Sequence, residues 1–364
     1  MSNPSLKLAA IVLGLCAVPL TLLVHAEDTA APATETPVAE AAPADSAAAE
    51  ASAEAPAAEA VAKPVAPRAS EPAVKAASNP LLKVVNTGKQ FVAVGARGHI
   101  LLSSDGKEWK QVQTPVDVLL TSVAFADAEH GWAVGHDAVI LATTDGGQTW
   151  AVQNFQPDLN KPLFDVLFLD ASTGYAVGAY GLFLETKDAG ATWTQIAVNP
   201  VTEGERHINA MTKLGNGGLM VVGEAGLIGV SPDGGTTWEK VASPYESSLF
   251  CVIAAGDSGA LIGGLRGNSF FNNDVRAGTW NKIETKTDQS LFGMTALPGD
   301  RIAMVGLNST LLIFSGSGPV RQVPITDQSG NKKTDTLSWV TAARDGSIIL
   351  VGDAGVQRLD ATAQ

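Results

Sequence analysis

The sequence predicts an all-β protein: a seven-bladed β-propeller with four-stranded antiparallel blades, preceded by a signal peptide and an Ala/Pro-rich linker. Three observations predict it. Two short apolar runs joined at a glycine-anchored loop return seven times. A polar turn ending in Trp follows five of the seven copies. Helical periodicity is absent throughout.

The N-terminus comes first. Lys7 gives a short basic start, residues 8–24 are apolar and uncharged, and Val24-His25-Ala26 offers a small-x-small cleavage site. Residues 1–26 therefore read as a secretory signal peptide, with an uncleaved membrane anchor as the alternative. Residues 27–78 read as a disordered linker. Of these 52 residues 22 are Ala, none is aromatic, and nine acidic side chains face three basic ones. Such a segment buries too little apolar surface to offset chain entropy, and its prolines interrupt any long helix.

Residues 79–364 hold the repeats. The anchor glycines are Gly95, Gly135, Gly178, Gly223, Gly264, Gly306 and Gly352, at intervals of 40, 43, 45, 41, 42 and 46. A period of ~40–50 residues built of short strands marks a propeller blade. In the second copy the strands fall at 120–126, 131–134, 139–143 and 149–153. The last copy supplies strands at 337–343, 347–351 and 356–359 and lacks a fourth. Part of 69–77 is expected to complete blade 7 as its outer strand, with Pro72 tolerated at a sheet edge.

The turn before Trp is the most specific motif. Residues 143–150 read Thr-Thr-Asp-Gly-Gly-Gln-Thr-Trp; 186–193 and 231–238 repeat it, 103–109 is one residue shorter and 272–280 one longer. Asp105, Asp145, Asp188 and Asp233 are expected to accept hydrogen bonds from their own turns. Gly permits positive φ there, and Trp109, Trp150, Trp193, Trp238 and Trp280 are expected to pack between blades. One Asp per turn is too few for calcium, so the role is structural and no metal is expected. Cys251 lies in an apolar strand and reads as a buried small hydrophobe.

These turns resemble the Asp-box, or BNR repeat, of sialidases and their relatives. Together with the Ala-Val-Gly strand ends at Gly95, Gly135 and Gly178, they are similar to a narrower group, the photosystem II stability and assembly factor family of cyanobacteria and chloroplasts with its bacterial relatives. The resemblance spans roughly residues 80–360, judged by the repeat register. It implies a non-enzymatic scaffold in the periplasm or a lumen that binds an extracytoplasmic segment of a membrane-protein complex, either a photosystem subunit or a component of a resistance-nodulation-division (RND) exporter.

The alternative is a sialidase-like glycoside hydrolase. That chemistry needs a Tyr nucleophile and an arginine triad. The family's Arg-Ile-Pro sequence is absent, and of three tyrosines Tyr175 takes the strand position that Trp132 holds in the previous copy. The formal net charge of −13 argues against a nucleic-acid partner. No cofactor and no small-molecule substrate are expected.

Stacking the loops on their anchor glycines gives a candidate binding rim. Two positions after each anchor come Arg97, Asp137, Tyr180, Ala225, Arg266, Asn308 and Ala354; His136 lies one position after Gly135. Arg206 joins from the blade 3 to 4 connection. Arg97, His136, Asp137, Tyr180, Arg206 and Arg266 are the candidate binding residues, and arginine suits carboxylates of an acidic peptide. A rim polar only because it is solvated is the competing reading.

Overall fold

The protein is described by a computed structural model covering residues 66–277, 279–315, 319–327 and 329–361. The signal peptide expected over 1–26, and the linker up to residue 65, lie outside the described residues. The described residues form seven antiparallel sheets, each built from strands consecutive in sequence. They form a seven-bladed β-propeller. No α-helix occurs among the described residues.

Blade 1 comprises Leu81–Asn86, Phe91–Gly95, Ile100–Ser103 and Lys110–Val112. Blades 2 to 6 repeat this order, with first strands at Leu120–Phe125, Leu163–Phe168, Ile208–Lys213, Leu249–Ala255 and Leu291–Leu297. Residues from all seven first strands border one small cavity, so these strands line the central channel. Second strands such as Phe91–Gly95 and Gly131–Gly135 are buried at every residue. Both faces of each lie between neighbouring blades, so their sequences are continuous apolar runs and do not alternate.

The anchor glycines have a specific cause. A Cβ on Gly135 would lie 2.1 Å from the Leu119 carbonyl oxygen, where the chain enters the first strand. The same collision, at 2.3 Å or less, would occur at all seven anchors. That carbonyl accepts the N–H of the residue after the anchor, His136 to Leu119 at 2.9 Å. Only glycine admits this stitch between a blade's entry and its second strand. Each first strand also carries a bulge one residue later, as between Leu120 and Ser122.

Tryptophans of the polar turns fill the clefts between blades. Trp150 packs with Val92, Val94 and Leu102 of blade 1, and Trp238 meets Phe183 of blade 3 edge-on at 5.3 Å. Tyr175 is buried and its hydroxyl donates to the Gly234 carbonyl of the next blade. Cys251 is fully buried, and burial pushes its thiol well above the usual range.

One expectation is corrected. Blade 7 has three strands, Leu337–Ala342, Ile348–Gly352 and Gly355–Leu359, and residues 69–77 add no fourth. The reason is where their backbone donors go. Ser70 N–H bonds the Thr114 carbonyl and Ala73 N–H bonds the Gln111 side chain, both in blade 1. Pro72 has no N–H to offer. The segment then turns through Ala76–Ser78, and Ala77 lies so close to Gly355 that a Cβ there would clash. Residues 66–78, assigned to the linker by composition, thus pack across the seam between blades 7 and 1. Ring closure itself rests on side chains: Ala343, Ile349 and Val351 of blade 7 share a core with Leu81, Phe91 and Leu101. Asn86 Nδ2 also bonds the Ala342 carbonyl, and Arg358 bonds the Asp105 carbonyl.

Candidate binding face

Loops leave the blades on two opposite faces. The Asp turns lie with the loops between first and second strands: Gly146 N–H bonds Glu129 O, and Ala189 N–H bonds Ser172 O. There Asp145 accepts from Thr143 Oγ1, Thr149 N–H and Thr149 Oγ1. Burial opposes its ionisation, but these donors outweigh it and hold the carboxyl at about 2. Asp188 and Asp233 are depressed by the equivalent Thr192 and Thr237 groups, and Asp105 by the N–H groups of Lys107 and Glu108. These carboxylates are occupied by their own turns.

The opposite face carries the candidate rim. In blades 1 to 6 the loop between second and third strands turns through two residues at positive φ, the type I′ geometry that matches strand twist, whereas in blade 7 only Gly355 has positive φ. Arg97, Asp137, Tyr180, Ala225 and Arg266 hold the first position at φ 49–58°. Gly98, Gly181, Gly226 and Gly267 hold the second position, and Ala138 holds it in blade 2. The turns are bonded to the inter-blade connections, Gly98 N–H to Val118 O and Gly181 N–H to Arg206 O. Left-handed backbone favours Gly or Asn, so Arg and Tyr at the first position are strained, at ~1–3 kcal/mol each.

The structure distributes the six candidate residues over separate sites. Arg97 is exposed and lines a hollow with Arg68, Glu71, His99 and Asp117. Arg68 and Asp117 pair there. Burial, then the neighbouring Arg97 charge, lowers the His99 pKa. His136 is exposed and Asp137 half-buried on blade 2, with the Asp137 carbonyl accepting Gln156 N–H. Arg266 lines a different groove, between blades 5 and 6.

Tyr180 and Arg206 meet at the blade 3 to 4 boundary. Tyr180, 50% exposed, stands edge-on to His207 at 4.8 Å, and its N–H donates to His207 Nδ1. Lys161 Nζ lies 6.0 Å over the Tyr180 ring. Arg206 bonds the Ala225 carbonyl and Glu224 accepts His207 N–H.

Sequence reasoning missed the channel mouth beside this cluster. Phe164, which touches His207 edge-on at 5.8 Å, borders the central cavity with Phe250 and Phe292, whose rings are 5.3 Å apart. Below them Lys83 pairs with Asp165 at 2.6 Å. The signal was available as a column, the residue after the first apolar position of each first strand, but only register assigns that column to the channel.

Residues 101–355 match the family described as Photosynthesis system II assembly factor YCF48. The chain is similar to the Photosystem II assembly protein Ycf48 of Thermosynechococcus vestitus, 31% identical over 58% of this chain and 60% of that protein. It is also similar to the chloroplastic Photosystem II stability/assembly factor HCF136 of Cyanidioschyzon merolae, 39% identical over 43% of this chain and 37% of that protein. The matched stretches thus span less than two thirds of either relative. A solved structure described as YCF48 bound to D1 peptide superposes with a TM-score of 0.62 at 18% identity, covering 78% of this chain and 93% of that one, a likeness of fold.

Proposed function

The chain belongs to the Photosynthesis system II assembly factor YCF48 family, and on that premise we propose that it is a non-enzymatic scaffold of the periplasm or a lumen. It holds an extracytoplasmic segment of a membrane-protein complex on the face formed by the two-residue turns. The partner is a photosystem subunit or a component of an RND-type exporter. The D1 peptide held by the solved relative makes a peptide segment the model ligand.

The observation that carries this reading is the strained rim. Arg97, Tyr180 and Arg266 are exposed at backbone positions that would be more stable with Gly or Asn. Strain retained under exposed side chains, on the same face as a Phe-lined channel mouth, favours recognition over bare solvation. The sialidase alternative gains no support, because Tyr175 is buried with its hydroxyl bonded to the Gly234 carbonyl and its pKa pushed up to about 12 by burial and Glu185.

The test is cross-linking of the tagged chain in its own cells, with identification of the captured protein. Arg97→Ala with Arg266→Ala is expected to leave the fold intact and weaken capture by ~1–4 kcal/mol; wild-type capture should itself weaken with salt, and the difference between variant and wild type should shrink, because salt screens the exposed charges. A double variant that captures the partner as well as the wild type at matched expression would end this reading of the arginines.

A further inference from the structure

Blades 2, 3 and 4 bury the residue that follows the two-residue turn. Val139, Leu182 and Leu227 hold this position and are fully buried. Each packs on the connection leaving the preceding blade: Val139 with Val116, Leu182 with Leu159, and Leu227 with Val198 and Val201. In blade 1 the same position is held by His99, only 2% exposed. Blade 7 closes the ring and sends no connection to blade 1; residues of 66–78 pack there instead. His99 shares a hollow of about 380 Å³ with Arg68, Glu71, Pro72 and Ala73 of that segment. Asn79, directly after the segment, reaches His99 Nδ1 at 3.5 Å. A titratable side chain thus stands where the neighbouring blades place an aliphatic one, and its cover lies outside the sheets.

That cover is lightly held. Ser70 N–H bonds Thr114 O and Thr114 N–H bonds Ser70 Oγ, both at 2.9 Å. The Gln111 side chain bonds Glu71 O and Ala73 N–H. Arg68 pairs with Asp117, but its side chain is 80% exposed, so the pair adds little. Residues 66–78 join no strand ladder. A segment with so few bonds opens at far less cost than the ring unfolds.

We propose that residues 66–78 are a clasp over the seam of blades 7 and 1, opened by protonation of His99. In the clasped state burial, and then the Arg97 charge, lower the pKa of His99 from the ordinary 6.5. Once the clasp is released, the imidazole meets water and titrates at its ordinary value. The proton therefore binds the open state better, and acid shifts the equilibrium toward opening. The stability that the clasp draws from a neutral His99 is complete above pH 6.5 and is lost as pH falls below it. The other charged groups around the hollow are Arg97 in the turn, Arg68 and Glu71 on the clasp, and Asp117 in the blade 1 to 2 connection. Imidazole is the side chain whose ordinary titration falls between pH 7.5 and 5.5. The device stands apart from partner binding: it governs whether the seam is covered.

The test is hydrogen–deuterium exchange of the full chain at pH 7.5 and 5.5, read on peptides spanning 66–78 and corrected for the pH dependence of intrinsic exchange. The Ser70 and Ala73 amides report opening, since both are bonded in the clasped state. An imidazole that titrates at about 6.5 when open and stays neutral when closed raises the opening constant ~tenfold over this range, which is the upper limit. The wild type is expected to open at least about threefold more at pH 5.5, with peptides of blades 3 to 5 unchanged. His99→Leu installs the residue found at 182 and 227, and His99→Gln keeps a polar side chain that does not titrate. Both are expected to open equally at the two pH values. Thermal melting at pH 7.5 checks that each is folded, and either one suffices if the other is not. A wild-type change below about threefold, a pH effect that persists in a folded variant, or protection lost throughout the ring at pH 5.5 overturns the proposal.

Discussion

Replacing Asp165 by Ala should destabilise the ring far more than any rim substitution. Asp165 Oδ1 accepts Lys83 Nζ at 2.6 Å and Ser122 Oγ at 2.7 Å, and Oδ2 accepts Met211 N–H at 3.0 Å. Lys83 also bonds Ser122 Oγ and stands 4.4 Å over the Trp339 ring. The knot therefore joins blades 1, 2, 3, 4 and 7 across the channel. The two charged side chains are only 12% and 7% exposed, so little water replaces the lost carboxylate. Breaking a buried pair from one side costs ~3–5 kcal/mol, because the surviving charge stays buried without its partner. For a domain above ~250 residues each kcal/mol moves Tm by about 2 °C, so Asp165→Ala should melt ~6–10 °C lower. Lys83→Met combined with Asp165→Leu removes both charges and should recover most of that loss. Calorimetry on the single and double variants decides. A single variant within ~2 °C of wild type, or a double as unstable as the single, would refute the argument that the uncompensated charge carries the cost.

Other outcomes follow from the same structure. Asp127 and Asp145 have folded pKa values depressed to about 2, so the stability they add is complete above the unfolded value near ~4 and is lost as pH falls through 2. Tm should drop between pH 4 and 2, and Asp145→Asn should show a smaller drop, measured by circular dichroism. Arg97→Gly and Arg266→Gly relieve left-handed backbone at φ 56° and 54°; thermal melting should show them unchanged or stabilised by up to ~1 kcal/mol while partner capture falls. Starting the chain at residue 79 should lower Tm relative to starting at 66, since only the longer form keeps the bonds from Ser70 and Ala73 to blade 1; identical melts would show that the seam needs no cover.

The repeat made most of the fold legible. An anchor glycine every 40–46 residues is a local necessity repeated seven times, because each one lies under a carbonyl that no Cβ can approach. The tryptophans were legible for a similar reason: a turn that ends in Trp points its ring into the cleft beside its own blade. The missing fourth strand of blade 7 was visible as well, but what replaces it was not. That outcome depended on Ser70 and Ala73 finding acceptors in blade 1, a competition between two sheets far apart in sequence.

The candidate site shows the same division. The sequence alone determined that Arg97, Asp137, Tyr180 and Arg266 occupy one loop column, since loop position follows from repeat register. It did not determine which of them meet. Only the tertiary structure joined Tyr180 to His207 and Lys161, left Arg97 in its own hollow, and collected Arg266 with Lys282, Lys286 and Lys332. It alone brought Lys83 to Asp165, 82 residues away. Backbone geometry in a blade is set by contacts within one repeat, so a period reveals it. Charge pairing at the rim and in the channel is set by which blades the closing ring brings face to face, and that distance has no counterpart in the period.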